Sequence, residues 1–195
     1  RPPRRRPFDD VQIGGGPDGL PLITARKSPP LGQMLQELGK HSDNFVAEMI
    51  LKVLGAERER PGTSKRGAAV LQDVLAEAGV ERGSATIVNG SGLFDGNLIA
   101  ADHLAKLLVH MYRDPSVRSE YVSQLAIGGA DGTLHRRLER LPAERVVRAK
   151  TGTLADAIGL SGYVLGPEPG QAWSFSILAN GIRGKIGKSR RLADD

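Results

Sequence analysis

Cysteine is absent from the 195-residue chain, and with it go disulfides, thiolate metal sites and a thiol nucleophile. The absence fits an oxidising and a reducing compartment equally, so it assigns neither. Aromatic residues are scarce at 4%, too few to interleave with basic residues as a nucleic-acid stacking platform. Four histidines occur, at positions 41, 103, 110 and 135. None stands at HExxH or a similar ligand spacing, and His103 and His110 read as a surface or partly buried pair on one helical face. No metal site and no cofactor is expected. No apolar run approaches the roughly 18 residues needed to cross a bilayer, so no integral membrane segment is expected. The N-terminus RPPRRRPFDD carries positive charge with no apolar stretch behind it, unlike an intact signal peptide. A trimmed exported protein reads the same way.

What is present fits one domain with a real core: 39% hydrophobic and 25% charged residues on a chain of this length. The net charge is +5, and Arg1, Arg4, Arg5 and Arg6 carry much of it. With no aromatics among them, these arginines read as a solvated tail; the competing reading is a basic arm that binds nucleic acid. Residues 1–20, with their GGGPDG stretch, form a basic, Gly/Pro-rich arm or linker.

Beyond the arm, Leu20 to Arg26 is a strand candidate halted by Pro29 and Pro30. Leu31, Met34, Leu35 and Leu38 recur at helical spacing, with Gly39 as the stop. SDNFVAEMILKVLG carries Phe45, Met49, Ile50, Val53 and Leu54 on one face and closes at Gly55. A third helix starts at Thr63 or Ser64 and ends at Gly79. Ser84 to Val88 reads as a short strand entering the turn NGSGLFDGN. A helix through Leu104, Leu107, Leu108 and Met111 stops before Pro115, and a weaker one spans Val117 to Leu125. AIGGADGTLH reads as an exposed loop. VVRAKT, LSGYVLG and AWSFSILANG then read as consecutive antiparallel strands. Gly187 to Asp195 starts a further helix but is too short to close one. The fold class is α/β (α+β), with helices packed on an antiparallel sheet.

Two tripeptides stand out. Ser42-Asp43-Asn44 opens the second helix, where Ser42 is also an ordinary N-cap and Asp43 suits the helix dipole. Lys150-Thr151-Gly152 lies on the first strand of the terminal sheet, where Lys150 is also an ordinary solvated charge and Gly152 a bulge. Together and in this order, Ser-x-Asn on a helix and Lys-Thr-Gly on a strand match two of the three elements of penicillin-recognising serine acyl-transferases. With IVNGSGLFDGNLIA, GGADGTLHRRL and AKTGTL followed by LSGYVLG, the chain from about Leu22 to about Asn180 resembles the D-alanyl-D-alanine carboxypeptidase/endopeptidases of the penicillin-binding protein 4 type, peptidase family S13.

The resemblance implies a penicillin-recognising serine transpeptidase/β-lactamase-like fold, incomplete in this chain, with residues 21–195 as the C-terminal part of the domain. It implies acyl transfer on peptidoglycan stem peptides and reaction with β-lactams, in a periplasmic or otherwise exported protein. Lys150 would face the cleft, hold the substrate carboxylate and tune proton transfer. Thr151 and Thr153 would add hydroxyl bonds to that carboxylate, which charge assistance makes strong. Gly152 would let substrate lie on the backbone, and the Thr153 N–H would donate to the oxyanion. The strand would pair with an extended peptide. Ser42 would relay a proton to the leaving amine, and Asn44 would orient the substrate amide and the lysine of the third element.

That third element, Ser-x-x-Lys, is missing. No serine from Ser28 to Ser189 has lysine three residues later. The nearest mimic, Thr24-Ala25-Arg26-Lys27, lies in the strand-like run before the prolines. The expectation is a chain without its own nucleophile, which is not acylated alone. Competing readings are a non-catalytic muropeptide-binding relative, the basic nucleic-acid module, and a β-lactamase, whose fold is shared. Three lesser features keep two readings. Asn89-Gly90-Ser91-Gly92 is a family loop or a tight turn. Asp131-Gly132-Thr133 is a substrate contact or a surface turn. Trp173 with Phe175 reads as core rather than as a ligand platform.

Overall fold

A computed structural model of the chain describes residues 28–94, 96–139, 141 and 145–195. The arm at 1–20, the strand candidate Leu20 to Arg26 and the Thr24 to Lys27 mimic lie outside the described residues.

The helices come first: α1 Leu31–His41, α2 Asn44–Arg58, α3 Ser64–Glu77, α4 Ala101–Arg113 and α5 Arg118–Gln124. α2 and α3 open on side-chain caps that satisfy orphan N–H groups of the first turn. Asp43 Oδ1 accepts from the Val46 N–H at 2.9 Å, and Thr63 Oγ1 accepts from the Arg66 N–H at 3.2 Å. Neither Gly39 nor Gly55 stops its helix: α1 continues to His41 and α2 to Arg58. Both glycines serve close packing instead. A Cβ on Gly39 would sit 2.2 Å from the Gln124 carbonyl oxygen, and one on Gly55 2.7 Å from that of Thr63.

The sheet follows: β1 Ala126–Ile127, β2 Val147–Thr153, β3 Ile158–Leu165 and β4 Ala172–Ala179, all neighbours antiparallel in the order β1-β2-β3-β4. The three terminal strands therefore pair as their sequence pattern predicts. The register sets Lys150 opposite Ser161, Thr151 opposite Leu160 and Gly152 opposite Gly159. Both sheet faces are covered. Val147, Ala149 and Leu160 bury with Ala126 and Leu134, and Ala193 from the C-terminal helix packs on that cluster. On the other face Tyr163 buries with Leu108 of α4 and Leu125. Its hydroxyl donates to the Leu108 carbonyl at 2.7 Å, a partner that a buried phenol needs.

Four local expectations are corrected. Ser84 to Val88 forms no strand beyond one bridge, Thr86 to Leu98. Asn97 Oδ1 takes the Val88 and Asn89 N–H groups that a ladder would have used. AIGGADGTLH is not an exposed loop: it forms β1 and a 3-10 turn, Gly132–Leu134, in which Ala126 and Leu134 are fully buried. The C-terminal segment does close a helix, α6 Ile186–Asp194. It is anchored where Arg137 makes a two-pronged pair with Asp194, closest at 2.6 Å. Trp173 is 55% exposed rather than core, while Phe175 on the same strand is half-buried against the sheet cluster.

Candidate active site

The corner between α1 and α2 puts Ser42 on the wall of a cleft. Ser42 is not the N-cap of α2; Asp43 is. Ser42 instead terminates α1 in the left-handed region, φ 62° and ψ 45°, with its N–H donating to the Leu38 carbonyl at 2.9 Å. A non-glycine residue held there costs on the order of 1 kcal/mol or more. With capping delegated to Asp43, the Ser42 hydroxyl is available elsewhere. It accepts from Lys150 Nζ at 2.5 Å.

Lys150 sits on β2, half-buried, and also donates to the Thr151 carbonyl at 2.8 Å. Burial holds its ammonium pKa below the ordinary lysine value, because removing water penalises the charged form. Thr151 Oγ1 donates to Thr133 Oγ1 at 2.8 Å, so the 3-10 turn supplies a third hydroxyl to this wall. Arg190 of α6 reaches in from the other side, its Nη2 donating to Thr153 Oγ1 at 2.7 Å. The predicted residues Ser42, Asn44, Lys150, Thr151, Gly152 and Thr153 all line one open cleft of about 940 Å³. Asn44, at the first turn of α2, is exposed in it.

The backbone of β2 is as informative as its side chains. β1 pairs only with Arg148 and Ala149, so past Lys150 that edge of β2 has no strand partner among the described residues. A Cβ on Gly152 would meet nothing nearer than the Gly159 nitrogen at 3.8 Å. The folded chain itself therefore does not require glycine at 152; what its absent side chain leaves is open backbone along the cleft. A strand edge without a strand partner is the geometry that receives an extended peptide.

Several residues escaped the sequence reading. Glu48 lies one helical turn after Asn44, on the same face of α2. Its Oε1 accepts from the Gly90 N–H at 3.0 Å, the Ser91 N–H at 2.8 Å and the Ser91 hydroxyl at 2.6 Å. The Ser91 hydroxyl is the main influence holding this carboxyl below the usual carboxylate range. Glu48 thus pins the Asn89 to Gly92 turn to the α2 wall, and Gly90 and Ser91 line the cleft. Its i,i+4 relation to Asn44 was the available signal. Arg190 had none, since it depends on a neighbour far away in sequence, whereas Thr133 belongs to the Asp131-Gly132-Thr133 stretch already read as a substrate contact or a surface turn, and it lines the cleft. Among the described residues, no group of three or more His, Asp or Glu is placed to hold a metal ion. No helix among them is long and apolar enough to cross a membrane.

Comparison with known proteins adds independent findings. Residues 7–194 match the model of the D-Ala-D-Ala carboxypeptidase 3 (S13) family. The chain is 36% identical over 182 residues to a D-alanyl-D-alanine carboxypeptidase of an Actinomadura species, covering 90% of this chain and 34% of that protein. It is 33% identical over 164 residues to penicillin-sensitive carboxypeptidase A of Dictyostelium discoideum, covering 78% of this chain and 30% of that one. The crystal structure of penicillin-binding protein 4 from Haemophilus influenzae, complexed with a β-lactam, matches with a TM-score of 0.70 and 26% identity, over 78% of this chain and 36% of that chain. A β-lactamase from Sphaerobacter thermophilus shares the fold, with a TM-score of 0.58 at 15% identity over 84% of this chain and 61% of that one. The chain spans about a third of the length of the curated relatives it matches.

Proposed function

The chain belongs to the D-Ala-D-Ala carboxypeptidase 3 (S13) family, and from that premise we propose that it forms two walls of a serine-type D-Ala-D-Ala carboxypeptidase/endopeptidase cleft that acts on peptidoglycan stem peptides and reacts with β-lactams. The observation that carries this reading is the 2.5 Å contact between Ser42 Oγ and Lys150 Nζ, beside the unpaired edge of β2.

Chemically, such a site splits the amide between two D-alanines in two steps. The serine of a Ser-x-x-Lys element, which these 195 residues do not contain, adds to the carbonyl carbon as that element's lysine takes its hydroxyl proton. The Thr153 N–H stabilises the oxyanion that forms. The C–N bond then breaks, and the terminal D-alanine leaves once its nitrogen takes a proton. The Ser42 hydroxyl gives that proton and is refilled from Lys150, already in hydrogen-bond contact and with its proton affinity lowered by burial. Thr151, Thr153 and the cationic side of the cleft grip the free carboxylate, charge-assisted bonds being about twice as strong as neutral ones. Gly152 leaves the backbone open for the peptide, and Asn44 holds its amide from the α2 side. Water then hydrolyses the acyl-serine. Such a substrate lies in the cell envelope, which places the protein as exported, periplasmic where a periplasm exists.

Without a nucleophile the 195 residues act as the binding half of this chemistry, so the test is binding. Calorimetric titration with an N-acetylated peptide ending in D-Ala-D-Ala is expected to give saturable binding that the L-Ala-L-Ala peptide does not. Equal affinity for the two, or for neither, contradicts the reading.

A further inference from the structure

Lys40 is a lysine out of place. It lies in the last turn of α1, where lysine ordinarily faces water, yet it is only 9% exposed. Its Nζ donates to the Leu125 carbonyl at 2.7 Å and to Asp131 Oδ2 at 2.7 Å. The second oxygen of Asp131 accepts from the Ile127 N–H at 2.6 Å. One buried ammonium therefore ties the end of α1 to the entry of β1 and to the turn that follows. The contact is close enough to dictate backbone: Gly132, at φ +53°, lies where a Cβ would be 2.6 Å from the Lys40 carbonyl oxygen.

The ion pair stands at equal offsets from two cleft contacts. Two residues after Lys40 comes Ser42, on Lys150 at 2.5 Å; two residues after Asp131 comes Thr133, on Thr151 at 2.8 Å. Stability alone gives little reason for such a pair. The Lys40 ammonium is buried but the Asp131 side chain is 38% exposed, so water screens part of the attraction, and such a pair is often matched by apolar residues of similar volume. Geometry gives a reason, because a charged, hydrogen-bonded strut fixes direction as well as distance.

We propose that Lys40 and Asp131 are positioning residues for the cleft, a strut that sets Ser42 against Lys150 and Thr133 against Thr151. The inference rests on the cleft as read above and adds to it the pair that aligns its two walls.

The test uses the whole 195-residue chain with Cε-13C-labelled lysine, read by NMR. Three variants are compared with the parent: Asp131→Asn, which keeps shape and removes the charge; the paired replacement Lys40→Met with Asp131→Leu, which removes both charges together; and Asp73→Asn as a control. Asp73 pairs with Arg58 and Arg82 at 2.6 and 2.8 Å, away from the cleft, so it reports stability loss alone. In both strut variants the Lys150 titration is expected to shift upward, as water enters the loosened contact, and the Ser42 Hβ to Lys150 Hε cross-peak is expected to disappear. The control is expected to melt earlier with Lys150 unmoved. An unchanged Lys150 titration and cross-peak in either folded strut variant overturns the proposal. So does loss of folding in both, because the pair would then serve folding rather than alignment. The parent chain is also titrated with the D-Ala-D-Ala peptide: failure to bind sinks the functional reading while the Lys150 signals still decide the strut.

Discussion

Lys150 Nζ and Ser42 Oγ lie 2.5 Å apart across 108 positions of sequence, and neither side chain is placed by its own element alone. Ser42 is there because α1 ends in a left-handed turn and Asp43 takes over the capping of α2. Lys150 is there because β2 runs on past the two residues that β1 covers.

Ser42 carries backbone strain, so its substitutions separate backbone from hydroxyl. Ser42→Gly is expected to melt above Ser42→Ala by about 1 kcal/mol of stability, because glycine adopts positive φ freely. Both lose the hydroxyl, and both are expected to weaken D-Ala-D-Ala peptide binding. Equal stability of the two variants in thermal melts would show that φ 62° at Ser42 carries no cost.

Lys150 links stability to pH in a definite direction. Its folded pKa is depressed by burial, so the unfolded chain binds the proton more tightly. Stability from this residue is therefore full above the ordinary lysine pKa and is lost as pH falls through the depressed folded value. Lys150→Met is expected to flatten that part of the stability-against-pH curve, measured by urea unfolding, while leaving the fold intact. A variant curve parallel to the parent's would remove burial as the governing influence.

Two glycines separate folding from function. Gly132→Ala meets the Lys40 carbonyl at 2.6 Å with φ +53° and is expected to cost about 1–3 kcal/mol. Gly152→Ala meets nothing nearer than 3.8 Å and is expected to change stability by about 0.5 kcal/mol or less. It is expected to weaken D-Ala-D-Ala peptide binding by roughly tenfold or more, since the methyl stands where substrate backbone would lie. Denaturant midpoints beside binding isotherms check the contrast, which fails if Gly152→Ala binds as the parent does.

Glu48 holds the cleft turn through three hydrogen bonds to one carboxylate oxygen. Glu48→Gln is expected to lose about 1–2 kcal/mol, the range for bonds to a charged group weakened to neutral ones. The carboxyl is depressed below its usual range, so its contribution is present above the unfolded pKa and lost as pH falls through the folded one. The gap between parent and variant melting temperatures should therefore close in acid. A gap that persists at low pH points to shape rather than charge.

Much of the fold was legible because it rests on local patterns. Helical spacing in α1 to α4 and the run of three terminal strands came through, as did Ser42 and Lys150, since motif order survives in a sequence. What was lost depended on distant partners. Gly39 and Gly55 looked like helix stops, but whether a glycine ends a helix or admits a neighbour is decided by the neighbour, here the Gln124 and Thr63 carbonyls. α6 looked too short to close because its anchor, Arg137, lies 57 positions away. Lys40 drew no reading of its own, because its partner Asp131 lies 91 positions away. Ser42 was misplaced by a single residue of capping, and that residue determines whether its hydroxyl serves the helix or the cleft.

Labelled penicillin tests the division of labour within the site. Incubated with the 195-residue chain and read by intact mass, it is expected to leave no covalent adduct, because no serine in the sequence has lysine three residues later. An adduct would reveal a nucleophile outside that pattern, and peptide mapping would name it.

The central claim, that β2 and the α1–α2 corner receive a D-Ala-D-Ala terminus, is tested most directly by amide NMR of the 15N-labelled chain during titration with the acetylated peptide. Saturable shifts are expected at Ser42, Asn44 and Thr151 to Thr153, with affinity lost in Lys150→Met. Shifts confined to other surfaces, or a Lys150→Met variant that binds as tightly as the parent, would contradict it.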